Sequence, residues 1–149
     1  MTQAADRARR LPISAWIFVA CGIWLIGLGA YFVVLRPPLL PEDPRYIGSS
    51  LVAIQAALPG LARWLGRVFT VMGGFMAAAG VLTVLVALAA VPVRTRATGW
   101  VLAAAGLLTV ALMSATNFAL DSDFKWVLLV PAVLWLAGLG RYSLERLEE

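Results

Sequence analysis

Residues 68–91 read VFTVMGGFMAAAGVLTVLVALAAV, an apolar run without a charged side chain that is long enough to cross a bilayer as a helix. Three further apolar runs, charged only near their ends, cover residues 13–35, 99–120 and 124–142. In lipid the backbone must satisfy its own hydrogen bonds, and the two-residue alternation of barrel strands is absent. The sequence therefore predicts an all-α membrane protein, a bundle of four transmembrane helices.

The composition of the whole chain favours lipid as the solvent. The chain is 62% hydrophobic and 13% charged, with a mean hydropathy of +0.89, whereas soluble domains are nearly half apolar and about a quarter charged. Arg7, Arg9 and Arg10 precede the first run as in a signal peptide, but that run is longer than a signal core and ends in Arg-Pro-Pro. We therefore expect it to be the first span of a single membrane domain, residues 1–149.

The placement of basic residues predicts the orientation of the spans. With four spans, one side of the membrane holds Arg7, Arg9, Arg10, Arg94, Arg96, Arg141 and Arg146, and the other side holds Arg36, Arg45, Arg63, Arg67 and Lys125. The positive-inside rule then places both termini in the cytoplasm. Because these residues flank the apolar runs instead of forming one basic face, we expect no nucleic acid partner.

The first connection, residues 36–66, is long and begins with four prolines between positions 37 and 44. Proline excludes a continuous helix there, whereas apolar residues after Ser49 recur at three- and four-residue spacing, which predicts a short interfacial amphipathic helix. We expect this outer loop to cap the bundle, with its carboxylates paired to Arg63 or Arg67. The cap residues are Glu42, Asp43, Arg45 and Tyr46. Whether the loop is a lid over a site or only a structural cap stays open.

The residues needed for most catalytic and metal chemistry are missing from the sequence. The chain has no histidine, so neither a histidine metal site nor a histidine-based catalytic pair can form. No ionisable residue lies in the middle of a predicted span, as proton-coupled transport would require. We therefore predict no catalytic residue, no metal site and no cofactor, and the balance favours a protein that is not an enzyme.

Two polar stripes descend from the outer side of the second and third spans, each within a narrow helical sector. If the stripes face each other, they line a small outward-facing cavity whose arginines hold a phosphate or carboxylate and whose asparagine orients the ligand. The alternative, which we favour, has the arginines on lipid headgroups and the asparagine bonded to another helix. The stripe residues are Arg63, Arg67, Thr70, Ser114, Asn117 and Asp121.

Three segments resemble small four-span bacterial membrane proteins of unknown function: LRPPLLPEDPRYIG (35–48), GGFMAAAG (73–80) and NFALDSDFKW (117–126). The resemblance implies a bacterial cytoplasmic membrane, and it carries no activity over to any residue.

Two functions follow from the sequence. Small residues recur on the first three spans and permit close helix packing, which predicts a non-enzymatic accessory or scaffold subunit, packed in the bilayer against a partner membrane protein or in a homo-oligomer. The alternative is a protein that binds or handles a lipid or another amphiphile, as transporter or enzyme, in the outward-facing cavity. The lack of histidine and of buried carboxylates favours the scaffold.

Overall fold

A computed structural model describes residues 11–147, and the basic positions Arg7, Arg9 and Arg10 lie outside the described residues. The described chain is helical, with no strand among these residues, and four helical stretches are long and apolar enough to cross a membrane. The predicted all-helical fold with four helices of membrane-spanning length and apolarity is confirmed. The helices are α1 Ile13–Val34, α2 Glu42–Ile47, α3 Leu51–Ala57, α4 Leu61–Ala89, α5 Arg96–Gly106, α6 Leu112–Ala119 and α7 Lys125–Leu147.

The helix bounds differ from the apolar runs where local signals change. The second long helix, α4, begins at Leu61 directly after Pro59 and Gly60. The helix predicted after Ser49 is therefore limited to α3, which is capped by the Ser50 hydroxyl at 3.1 Å from the Ala53 amide. A 3-10 turn, Val91–Val93, follows α4. The third stretch consists of α5, a π-helical segment at Leu107–Ala111, and α6.

The bundle has two ends. The loop end holds residues 35–60 and 120–124, which connect α1 to α4 and α6 to α7. The opposite end holds residues 90–95, the start of α1 and the end of α7.

Helices α1 and α4 pack with their backbones in direct contact through two glycine pairs. A Cβ atom built on Gly22 would lie 2.8 Å from the Gly80 carbonyl oxygen, and one on Gly29 would lie 2.6 Å from that of Gly73. The reciprocal distances, from Gly80 to the Gly22 oxygen and from Gly73 to the Gly29 oxygen, are both 2.6 Å. No side chain fits at such distances, so glycine permits this approach of the two helices.

The other side of α1 packs against α7, which in turn holds α5. The Phe18 ring lies edge-on to Trp135 at 5.4 Å between centroids. The Trp135 indole N–H donates to the Leu102 carbonyl at 2.9 Å, and the Tyr142 hydroxyl donates to the Thr95 carbonyl at 2.7 Å. These bonds satisfy polar atoms that the apolar surroundings would otherwise leave unpaired.

At the opposite end, a carboxylate from α7 caps the first turn of α1. Glu145 is buried and accepts hydrogen bonds from the Ser14 amide at 3.3 Å and the Ser14 hydroxyl at 2.5 Å. Arg141 Nε lies 3.4 Å from the same carboxylate. Since a helix N-terminus leaves amides without partners and favours negative charge, this contact fixes α1 to α7.

The packing around α1 leaves a gap at the loop end. Helix α1 packs against both α4 and α7, whereas α4 makes few contacts with α5, α6 or α7. Helices α4 and α6 therefore face each other across a gap.

The close approach of α1 and α4 can be tested at two neighbouring glycines of α4, only one of which faces α1. A Cβ on Gly73 would meet the Gly29 backbone, but a Cβ on Gly74 meets nothing within 4 Å. We expect Gly73→Leu to destabilise the protein by about 1–3 kcal/mol or more through overpacking, and Gly74→Leu to leave stability nearly unchanged. Thermal unfolding in mild detergent measures the difference. Equal melting temperatures for the two variants would contradict the glycine contact.

Candidate functional site

A cavity of about 990 Å³ occupies the gap between α4 and the α6–α7 pair at the loop end. Helix α1 forms one wall with Trp24, Leu28 and Phe32, and most of the remaining lining is also apolar. The hydroxyl and amide groups that line it belong to Tyr31, Tyr46, Thr109, Thr116, Asn117 and Ser122. A volume near the upper end of the usual range for small-molecule sites, about 300–1,000 Å³, suits a large apolar ligand.

The cavity opens sideways between α4 and the third span. Phe75 on α4 is 74% exposed, and Leu108 and Leu112 opposite it are 69% and 57% exposed, although all three line the cavity. Apolar side chains with this exposure in a membrane-length bundle face lipid. The opening thus lies on the part of the surface that would contact acyl chains if the bundle is embedded in a bilayer.

The cap segment, defined as residues 35–50, covers the loop end of the cavity. Its short helix α2 ends at Ile47 and is capped by Gly48, which adopts a left-handed conformation with φ of 73°. Asp43 Oδ2 accepts a hydrogen bond from the Leu40 amide at 2.7 Å, which fixes the proline-rich turn before α2. The charged lining residues of the cavity are Arg36, Glu42 and Asp43, and all three belong to the cap segment.

Two residues of the cap segment, Arg45 and Glu42, attach it to the connection between α6 and α7. Arg45 Nη2 lies 3.2 Å from Asp123 Oδ1 and donates to the Asp121 carbonyl at 3.3 Å, but both charged groups are exposed. Ser122 Oγ donates to Glu42 Oε1 at 3.1 Å, and both residues are 4% exposed. An exposed ion pair contributes about 0–1 kcal/mol, so the buried Glu42–Ser122 bond is the stronger attachment.

Glu42 uses only part of its hydrogen-bonding capacity. Its Oε1 accepts from Ser122, whose hydroxyl in turn accepts from the Phe124 amide at 3.2 Å. Its Oε2 is buried and has no hydrogen-bond partner among residues 11–147. A buried carboxylate oxygen without a donor is unfavourable, which singles out Glu42 as the most unusual polar group of the site.

Arg36 lies at the same cavity, against aromatic rings. Its guanidinium carbon is 3.5 Å from the centroid of the Phe69 ring and 5.1 Å from that of Phe32, and Nη1 donates to the Pro37 carbonyl at 3.0 Å. Burial lowers the pKa of Arg36, and the nearby Asp43 carboxylate opposes that change. An arginine stays protonated under such conditions, so the cavity holds a fixed cation beside two carboxylates.

The structure brings part of the expected site residues to the cavity. Glu42, Asp43, Tyr46 and Asn117 line it, although Asn117 Nδ2 donates within its own helix to the Met113 carbonyl at 2.9 Å. Arg45 attaches the cap segment through Asp123. The expected pairing of the cap carboxylates with Arg63 or Arg67 does not occur in the described chain, where Ser122 and the Leu40 amide are their partners.

The other stripe residues lie away from the cavity lining. Arg63, Arg67 and Thr70 are exposed on α4, and the Thr70 hydroxyl donates to the Gly66 carbonyl at 2.9 Å. Ser114 is buried and donates to the Leu128 carbonyl at 2.8 Å, which joins α6 to α7.

Asp121 is exposed and lies two residues after the third stretch ends at Ala119, with a positive φ of 48°. Its carboxylate pairs with Lys125, and this hydrogen bond lowers the pKa of Asp121. The two stripes therefore do not share one cavity wall.

Sequence reasoning missed Arg36 and Ser122. Arg36 follows Phe32 by four residues at the end of α1, a spacing that brings a cation over a ring on a continuing helix turn. Ser122 stands between two aspartates in a short connection and resembles an ordinary turn residue. Only the fold shows that it faces a carboxylate eighty positions earlier.

The other places considered as binding sites in the described chain lack charged or metal-binding groups. A surface depression of about 320 Å³ beside Pro59 and Trp64 has no charged lining residue. Within the described range no group of three or more metal-binding side chains comes together.

Comparison with protein-family models, with curated proteins and with solved structures finds no match for this chain. A functional assignment therefore depends on the cavity itself.

The attachment of the cap segment can be tested at two adjacent residues. Ser122→Ala removes the only described donor to Glu42 and should weaken the docking of α2 by about 1–3 kcal/mol. Asp123→Ala removes an exposed ion pair and should change the free energy of docking of α2 by about 0–1 kcal/mol. Amide hydrogen exchange of residues 42–47 measures the local opening. Faster exchange in the Asp123 variant than in the Ser122 variant would contradict this ranking.

Proposed function

We propose that this protein binds a membrane amphiphile in the cavity between α4 and α6, with its chain in the apolar part and its polar group under the cap segment. The observation that carries the proposal is the lateral opening at Phe75, Leu108 and Leu112, because it lets an acyl chain enter directly from lipid. The charged lining residues belong to one end of the cavity only. A cavity that is charged at one end and mostly apolar elsewhere matches an amphiphile, which has a polar group at one end of an apolar chain.

The proposal covers binding and involves no chemical reaction. The chain has no histidine, and each carboxylate at the cavity has one oxygen engaged in holding the cap segment. Catalysis usually needs a positioned group that exchanges protons near neutral pH. The scaffold role expected from the sequence stays a prediction, and the apolar outer faces of the helices are accounted for by contact with the bilayer.

We further propose a bacterial cytoplasmic membrane with both termini on the cytoplasmic side, which puts the cap segment in the outer interface. Arginine placement along the sequence supports this orientation. The amphiphile would then enter from the outer leaflet.

Amphiphile binding can be tested by filling the cavity. Gly27 lines the cavity, and a Cβ built on it meets nothing within 4 Å. We expect Gly27→Phe to reduce retained lipid by about tenfold. The aromatic side chain would occupy part of the volume that the acyl chain of the bound lipid needs and would remove a large share of its contacts. Native mass spectrometry after gentle delipidation measures the retention.

Gly74→Phe is the matched control. Gly74 also lies on a membrane-length helix with open space around its Cβ, but it does not line the cavity. The Gly74→Phe variant should retain as much lipid as the unchanged protein. If both variants retain lipid equally, the cavity is not the binding site, and a stoichiometric protein partner in the same spectra would favour the scaffold.

The orientation has its own test at two exposed positions, Asp123 at the loop end and Ala97 at the opposite end. In intact cells, Asp123→Cys should react with a membrane-impermeant maleimide, and Ala97→Cys should react only after lysis. The single native thiol, Cys21, is buried and gives a low background. The reverse labelling pattern would overturn the orientation.

A further inference from the structure

Glu42 lacks a hydrogen-bond donor at a position where one is needed. The side chain is 4% exposed, it lines the cavity, and its Oε2 has no partner in the part of the chain that the structure describes. Burial without a donor is unfavourable for a carboxylate oxygen, and a cationic donor stabilises it most. A ligand in the cavity could supply that donor.

Arg36 does not supply it. The Arg36 guanidinium lies over the Phe69 ring and donates to the Pro37 carbonyl, and it forms no ion pair with Glu42 within residues 11–147. Most of its N–H groups have no described acceptor, while a guanidinium presents five donors suited to a phosphate. A cation and a carboxylate therefore line one cavity without a direct ion pair, although the charge of Glu42 acts to raise the pKa of Arg36.

The geometry points to a headgroup site for a zwitterionic phospholipid, with a primary ammonium at Glu42 and the phosphate at Arg36. This inference deepens the proposed function and rests on it. Asp43 needs the ammonium less, because it is only half-buried and its second oxygen is not among the buried oxygens without a partner.

The burial of Glu42 decides which ammonium fits. Glu42 Oε2 is covered in this structure, so a donor reaches it only when the atoms over it shift. A primary ammonium is compact and donates up to three hydrogen bonds, so it needs the smallest shift. A trimethylammonium group has no N–H donor and is bulkier, and proteins recognise it with aromatic cages. The site should therefore prefer ethanolamine over choline phospholipids that have the same chains and the same net charge.

The test uses the full chain in nanodiscs containing equal amounts of phosphatidylethanolamine and phosphatidylcholine with identical acyl chains. Native mass spectrometry identifies the lipid that stays bound. We expect about tenfold enrichment of the ethanolamine lipid, the equivalent of one charge-assisted hydrogen bond. If the unchanged protein retains the ethanolamine and choline lipids in a ratio near one, the headgroup inference is overturned. The proposed function still stands in that case, provided that both lipids are retained.

Glu42→Gln tests the residue. Glutamine keeps the shape and can still accept from Ser122, but it loses the charge and replaces one acceptor oxygen with a donor amide. The preference should vanish because the retained ethanolamine lipid falls to the level of the choline lipid. Asp123→Asn, which removes an exposed carboxylate at the loop end outside the cavity, should keep the preference. Loss of preference in the Asp123 variant as well would indicate a general surface-charge effect and overturn the assignment to Glu42.

A final arm separates a phospholipid from a free amine. Dodecylamine is added to nanodiscs made only of phosphatidylcholine, with dodecyltrimethylammonium as its control. Displacement of bound lipid by dodecylamine alone, together with enrichment of ethanolamine lipid in the mixed discs, supports the headgroup site. Displacement without that enrichment would overturn the phospholipid assignment in favour of a free amine.

Discussion

The backbone contact between α1 and α4 is the constraint on which the rest of the bundle depends. Gly22 and Gly29 meet Gly80 and Gly73 at distances that exclude any side chain. In lipid there is little hydrophobic gain from helix association, so close packing and hydrogen bonds must hold the helices together. With α4 held against one side of α1 and α7 against another, α4 and α6 stay apart, and the cavity occupies the space between them.

The loop end is organised by a different interaction, the buried bond between Glu42 and Ser122. A carboxylate in such surroundings is a poor way to hold a loop, since its remaining oxygen is left without a donor. An apolar contact at the same place would fix the loop without that cost. Burial of a carboxylate beside a cavity is more readily explained if its free oxygen contributes to recognition.

The sequence predicted the spans because hydropathy accumulates over many residues and a bilayer requires a minimum helix length. It also indicated the cap segment, through prolines that exclude one continuous helix from residue 37 onward. The short helix α2 still forms, because its Pro44 lies in the first turn, where proline is tolerated. The composition of the cavity was harder to predict. Helical periodicity showed that Arg63, Arg67 and Thr70 share one face, but it carries no information about how that face is rotated relative to a neighbouring helix. Packing of Gly73 and Gly80 on α1 sets the rotation of α4, and the three residues lie exposed.

The membrane itself determines where selectivity can arise in such a site. An acyl chain that leaves the bilayer for an apolar cavity exchanges one apolar environment for another, so its transfer supplies little free energy of binding. The walls formed by residues such as Leu28 and Met76 can admit a chain but cannot distinguish one lipid from another with the same chain. Discrimination must come from groups whose interactions differ between headgroups. In the described cavity the charged groups are Arg36, Glu42 and Asp43, and Glu42 is the one with a buried oxygen left unpaired.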